Sequence, residues 1–277
     1  MFKKLLKHDF KVIYKNALPL SVAALACSVI GGISINILNN TSNVHPVFSA
    51  MLGMSTLLSV LVIFAAILGF QILIYAHFYK NLFTDEGYLT FTLPVKRFSI
   101  LLSKTLNAMI WTAISGVLSA VLVFTCMICS GEIVGVIELF KFFATLFDFK
   151  SFLEGFWITV YILEVILICV AISAMQINLI QFCIAFGSTL AKKHKVLASF
   201  GIYYVVNAAT SFAFQIFVIL NAQPIANLID VLSRQNPYFL LVAIALILLL
   251  ILLIISAIAV LFFALSMRRI KYHLNIS

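Results

Sequence analysis

Charge is scarce in this chain: 10% of its 277 residues are Asp, Glu, Lys or Arg, while 64% are hydrophobic. An ordinary globular domain carries about a quarter charged residues, so a soluble protein of this composition would lack a polar surface. Signatures of chemistry are scarce as well. No GxxxxGK[ST] phosphate loop occurs, because the stretch from Gly187 to Lys193 is too short and lacks the second glycine. Any ATP used with this chain must therefore bind elsewhere. HExxH, GxSxG, zinc-spaced cysteine pairs and paired intramembrane carboxylates are all missing, so neither an enzyme nor a resident metal or cofactor is expected. The five cysteines fall inside apolar runs, and Cys126 and Cys129 have redox spacing without a thioredoxin-like context, which predicts free core thiols. His8, His45, His77, His194 and His273 are scattered at the ends of those runs, as interfacial residues rather than metal ligands.

What the chain has is long apolar runs. A bilayer core of about 30 Å needs about 20 apolar residues of helix, and six segments qualify: 17–38, 47–76, 100–129, 156–186, 196–220 and 239–267. Barrel strands would be half as long and alternating. Only a helix satisfies its backbone within one segment in lipid, so the expected fold is all-α and polytopic, a single transmembrane domain. Of the eighteen basic residues, all but Lys141, Lys150 and Arg234 lie before the first span, between the second and third or flanking that gap (Lys104), between the fourth and fifth, or after the sixth. By the positive-inside rule both termini are cytoplasmic. The net charge of +9 is mostly this bias, facing lipid rather than nucleic acid.

Before the first span, Phe2, Leu5, Leu6, Phe10, Ile13 and Tyr14 alternate with Lys3, Lys4, Lys7, Lys11 and Lys15 at helical spacing. This predicts an amphipathic helix over 1–16 lying along the inner leaflet. A lipoprotein signal ending at Cys27 is excluded, because the apolar run continues through Val29, Ile30, Ile33, Ile35 and Ile37.

The gap between the second and third spans is the most motif-like part of the chain. Over 83–97 it opens with Asp85 and Glu86 and closes with Pro94, Val95, Lys96 and Arg97. Thr84 is placed to cap a short helix, acidic in its first turn, which Pro94 should end. Between them Gly87, Tyr88, Leu89, Phe91 and Leu93 form an apolar stretch that is costly to leave in cytosol and sensible as a docking surface. An ordinary turn packed on its own bundle is the bland alternative.

Asp85, Glu86, Gly87, Leu93, Pro94, Val95, Lys96, Arg97 and Lys104, in that order, resemble the corresponding stretch of ABC-2 type permeases, the membrane subunits of ATP-binding-cassette exporters, especially the small separate permeases of Gram-positive bacteria. The six-span plan with both ends inside and the N-terminal amphipathic helix fit the same family. The resemblance implies that 83–97 is a coupling helix inserting into a cleft of a separate ATPase subunit, which carries the ATP and magnesium. It also implies a plasma-membrane location, a second permease subunit as partner, and short helices at the outer end of the path. The segment 223–235, bounded by Pro224 and Pro237, is the candidate for such a re-entrant or surface helix. An amphipathic substrate such as a peptide, drug or lipid suits so apolar a path.

Polar residues inside the spans are few. Glu164 is the one ionisable residue well inside a span, where a charge costs roughly 2.5–3.5 kcal/mol on insertion scales. Its functional readings are proton or cation coupling or contact with a cationic substrate; its structural readings are a hydrogen bond to another helix or snorkelling outward. Asn207, Ser211 and Gln215 share one face of the fifth span. Such residues either join helices or line a path, and the resemblance favours the path. A sensory or anchoring membrane subunit and an ion-coupled carrier are the other function classes this chain fits, although a proton-driven carrier usually needs more intramembrane ionisable groups.

Overall fold

Backbone groups find no partners in hydrocarbon, so each apolar run has to close its hydrogen bonds internally, and every one does so as helix. The computed structural model describes residues 2–41, 45–92, 95–146, 152–190, 194–235 and 237–272. In order these form α1 (Phe2–Asn40), α2 (Pro46–Phe83), α3 (Asp85–Thr92), α4 (Arg97–Cys129), α5 (Ile133–Leu146), α6 (Phe152–Leu190), α7 (Lys195–Gln235) and α8 (Pro237–Tyr272). All but α3 and α5 contain a stretch long and apolar enough to cross a membrane. The protein is an all-α, polytopic membrane protein.

Two boundaries differ from the hydropathy pattern. Residues 1–16 do not form a helix of their own: α1 runs unbroken from Phe2 through the first span, with Pro19 inside it. At 39 residues it is about 58 Å long, nearly twice the hydrocarbon thickness. Its first four turns are amphipathic as expected, with Lys3, Lys4, Lys7, Lys11 and Lys15 exposed and Asp9, Ile13 and Ala17 buried. The buried side, however, packs on protein. Likewise α7 continues through 223–235 without a break, with Pro224 in its interior. Each junction carries a proline, which removes one N–H from the ladder, yet the helix continues through it, as membrane helices tolerate.

The chain divides into two compact units, 1–78 with 102–148 and 79–101 with 149–277. In the first, α2 runs antiparallel and α4 parallel to α1. Near the middle of α1 and α2, Ala24, Ala66 and Leu122 form a buried cluster flanked by Leu20, Leu25, Ile63 and Leu118. Further along, Ser28 Oγ donates to the Leu122 carbonyl at 2.6 Å, and Ser55 Oγ to Ser34 Oγ at 2.7 Å. Gly31 and Gly32 allow this approach. A Cβ on Gly31 would lie 2.8 Å from Ser59 Cβ, and one on Gly32 only 2.7 Å from the Cys126 carbonyl oxygen. Small residues where helices touch are how membrane bundles pack without a hydrophobic drive between helices.

In the second unit, tight packing is concentrated toward the lysine-rich end. Leu179, Cys183 and Phe262 are buried together, with Ile202, Tyr203, Val206 and Leu265 around them. Asn178 Nδ2 donates to the Ala259 carbonyl at 3.1 Å, Phe182 lies against Phe262, and the Arg269 guanidinium sits 4.2 Å over the Phe186 ring. Toward the opposite end the Tyr161 hydroxyl donates to the Leu241 carbonyl at 2.8 Å, joining α6 to α8. The α7 stretch 209–220 is exposed throughout.

Candidate functional site

The segment joining the second and third spans belongs to the second unit, and its local chemistry explains its shape. α2 ends at Phe83 and α3 starts two residues later at Asp85, so the chain turns within one residue. The Thr84 carbonyl accepts the Gly87 N–H at 2.8 Å, the first bond of α3. The Thr84 hydroxyl points the other way: it donates to the Lys80 carbonyl and satisfies the end of α2. Thr84 therefore does not cap α3 with its side chain as its position predicted, because the unpaired α2 carbonyl lies within reach. Gly87 is buried against α2, where a Cβ would stand 2.7 Å from the Leu82 carbonyl oxygen. No other residue fits that turn without moving it.

Glu86 reaches back to Lys80, Oε1 to Nζ 3.0 Å, in an exposed pair of the kind worth 0 to about 1 kcal/mol. The Thr90 hydroxyl donates to the Glu86 carbonyl at 3.1 Å. α3 ends at Thr92, in keeping with a proline two residues on. Leu93 and Pro94 lie outside the described residues, as do the side chains of Asp85, Tyr88, Leu89 and Phe91. Val95 is half-buried and Lys96 exposed. The Lys96 carbonyl accepts the N–H groups of Ser99 and Ile100 and so opens α4. Arg97 then donates from one guanidinium nitrogen to the carbonyls of Lys271 at 3.0 Å and Ile270 at 3.4 Å, at the end of α8. A cation there complements the partial negative charge of a helix C-terminus. Phe98 meets Phe263 edge to face beside it. Within 83–97, α3 is thus a short helix that starts from a tight turn, and Arg97 ties the start of α4 to the end of α8.

The other residues singled out by the sequence are not part of this arrangement. Asn207 is half-buried, whereas Ser211 and Gln215 are exposed on α7. Glu164 is buried on α6, and its Oε2 has no hydrogen-bond partner among the described residues. Among those residues no hydrogen bond joins Glu164 to the α7 stripe.

A constellation in the first unit went unseen in the sequence. Asp9 on α1 is buried; its Oδ1 lies 2.6 Å from Lys104 Nζ on α4 and 3.4 Å from His77 Nε2 on α2. Phe10 stacks on Trp111 at 4.9 Å between ring centroids. One signal pointed there. Asp9 is the sole carboxylate in the first 84 residues, and it stands four residues before Ile13 and eight before Ala17, on the apolar rather than the lysine face.

No protein-family model, no curated protein and no solved structure matches this chain.

Proposed function

We propose that this protein is the permease subunit of an ATP-driven exporter in a bacterial plasma membrane, with ATP hydrolysed by a separate subunit. The observation that carries the reading is α3: a two-turn helix on the lysine-rich side, set between two spans by the Gly87 turn and the Arg97 contact to α8. A short, separate helix with an apolar and acidic sequence is what a docking element for another subunit requires. The resemblance of 83–97 to ABC-2 coupling helices names that subunit as an ABC ATPase. Closure of two ATPases on ATP would move the docked α3 helices, and the path would change its exposure between sides by alternating access. The exposed Ser211 and Gln215 on α7 support a second permease subunit. A hydroxyl and an amide turned to lipid are costly, and a neighbouring chain or a water-lined path relieves the cost. An amphipathic molecule is the substrate class.

The test is to tag the chain in its native host, extract it in mild detergent and identify the stoichiometric partners. The reading expects a Walker-motif ATPase that is lost with Leu93→Asp. A chain that purifies alone, or with a partner that is not an ATPase, would favour the carrier or sensory classes.

A further inference from the structure

The chain leaves the first unit after Phe78 and returns to it at Leu102. His77 is therefore one residue short of the exit and Lys104 two residues past the return. Asp9, from a third helix, touches both. A single buried carboxylate thus joins the two stems of the segment that carries α3. Lys104 and Asp9 have side chains only 4% and 2% exposed, so neither charge is screened by water as a surface pair is.

The same seam holds groups that are not engaged. Ser103 Oγ, Asn107 Oδ1 and Trp111 Nε1 lie on successive turns of one α4 face, and all are buried without a hydrogen-bond partner among the described residues. Asp9 Oδ2 is in the same condition. Unused buried donors and acceptors are uncommon in a finished core. Here they are an acceptor on α1 and, along one face of α4, two N–H or O–H donors with the Asn107 acceptor between them. A seam with a second set of partners in waiting has two arrangements available, as a switching element needs.

We propose that Asp9 is the positioning residue through which movement of the coupling segment reaches α1: it ties the stems together, and α1 shifts along α4 when they move. This rests on the exporter reading above. Trp111, stacked on Phe10 next to Asp9, is the built-in reporter, since the chain has two tryptophans and Trp157→Phe leaves Trp111 alone. The experiment labels the W157F permease with 5-fluorotryptophan, purifies it in nanodiscs with the co-purifying ATPase, and records the 19F spectrum before and after ATP, magnesium and vanadate. The expected result is a second Trp111 resonance on trapping. Its population falls at least fivefold in D9N and in K104M with ATPase still bound, and returns in the charge-exchanged D9K/K104D. Should D9N fail to accumulate, H77F, which keeps the Asp9–Lys104 pair and removes the ring nitrogen that reaches Asp9, is expected to at least halve the trapped population. An unmoved Trp111 signal in a complex with bound, vanadate-trapped ATPase overturns the role of Asp9 alone, as does a D9N or H77F response equal to that of the W157F parent. A chain that retains no ATPase overturns the exporter reading and this role with it.

Discussion

The two units of this protein solve the packing problem of a membrane bundle differently. In the first, contacts run along the whole helix length, from the Asp9 cluster through the Ala24, Ala66 and Leu122 core to the glycine contacts at Gly31 and Gly32. In the second they gather around Cys183 and Phe262, and no residue in the most apolar stretch of α7 or α8 is buried, against 28% of that of α1. Lipid tails are as apolar as leucine, so apolar surface alone does not hold helices together there. The first unit joins its helices through polar groups and close backbone approach; the second leaves long apolar surfaces of α7 and α8 exposed.

The sharpest way to break this comparison is at the buried ion pair. Asp9→Asn leaves the Lys104 ammonium buried without its counter-charge and is expected to cost about 3–5 kcal/mol. Thermal unfolding in detergent should show it as the largest loss of any single change considered, with D9K/K104D recovering part. Next is Gly32→Val, whose side chain would collide with the Cys126 backbone. Overpacking of this kind costs about 1–3 kcal/mol, and disulfide trapping of α1 against α4 should slow accordingly. Gly87→Ala adds a methyl 2.7 Å from the Leu82 carbonyl oxygen and is expected to fall in the same 1–3 kcal/mol range. Its effect is confined to the second unit, so ATPase co-purification should drop while the melting of the first unit stays put. Asn178→Leu removes the bond to the Ala259 carbonyl and should lower stability by about 0.6 kcal/mol, the average for such membrane contacts. Smallest is Gln215→Leu, an exposed position: no change in melting, but altered vesicle transport if α7 lines the path. A melting loss there as large as for D9N would erase the distinction between the units.

Much of the fold was legible because its physics is local. Each span announces itself by about 20 apolar residues, and the lysines mark one side. The start of α3 followed from turn chemistry within a few residues, even though the Thr84 hydroxyl went to α2. The helix ends were harder to place. Hydropathy reports where the membrane stops, whereas a helix stops only at a cap or breaker, so α1 and α7 outrun their apolar runs. The Asp9 cluster was the least legible, since its partners lie 68 and 95 positions away. Lys104 in sequence is one more cytoplasmic cation, and only the folded bundle shows that it is buried against an acid.

The most direct test of the central claim is site-specific photo-crosslinking from α3. Benzoylphenylalanine in place of Tyr88, expressed in the native host and irradiated in intact membranes, is predicted to give an adduct with a Walker-motif ATPase that disappears with Gly87→Ala. Crosslinks confined to this chain itself, with that ATPase present in the same membranes, would contradict the claim that α3 is where the energy of ATP enters the protein.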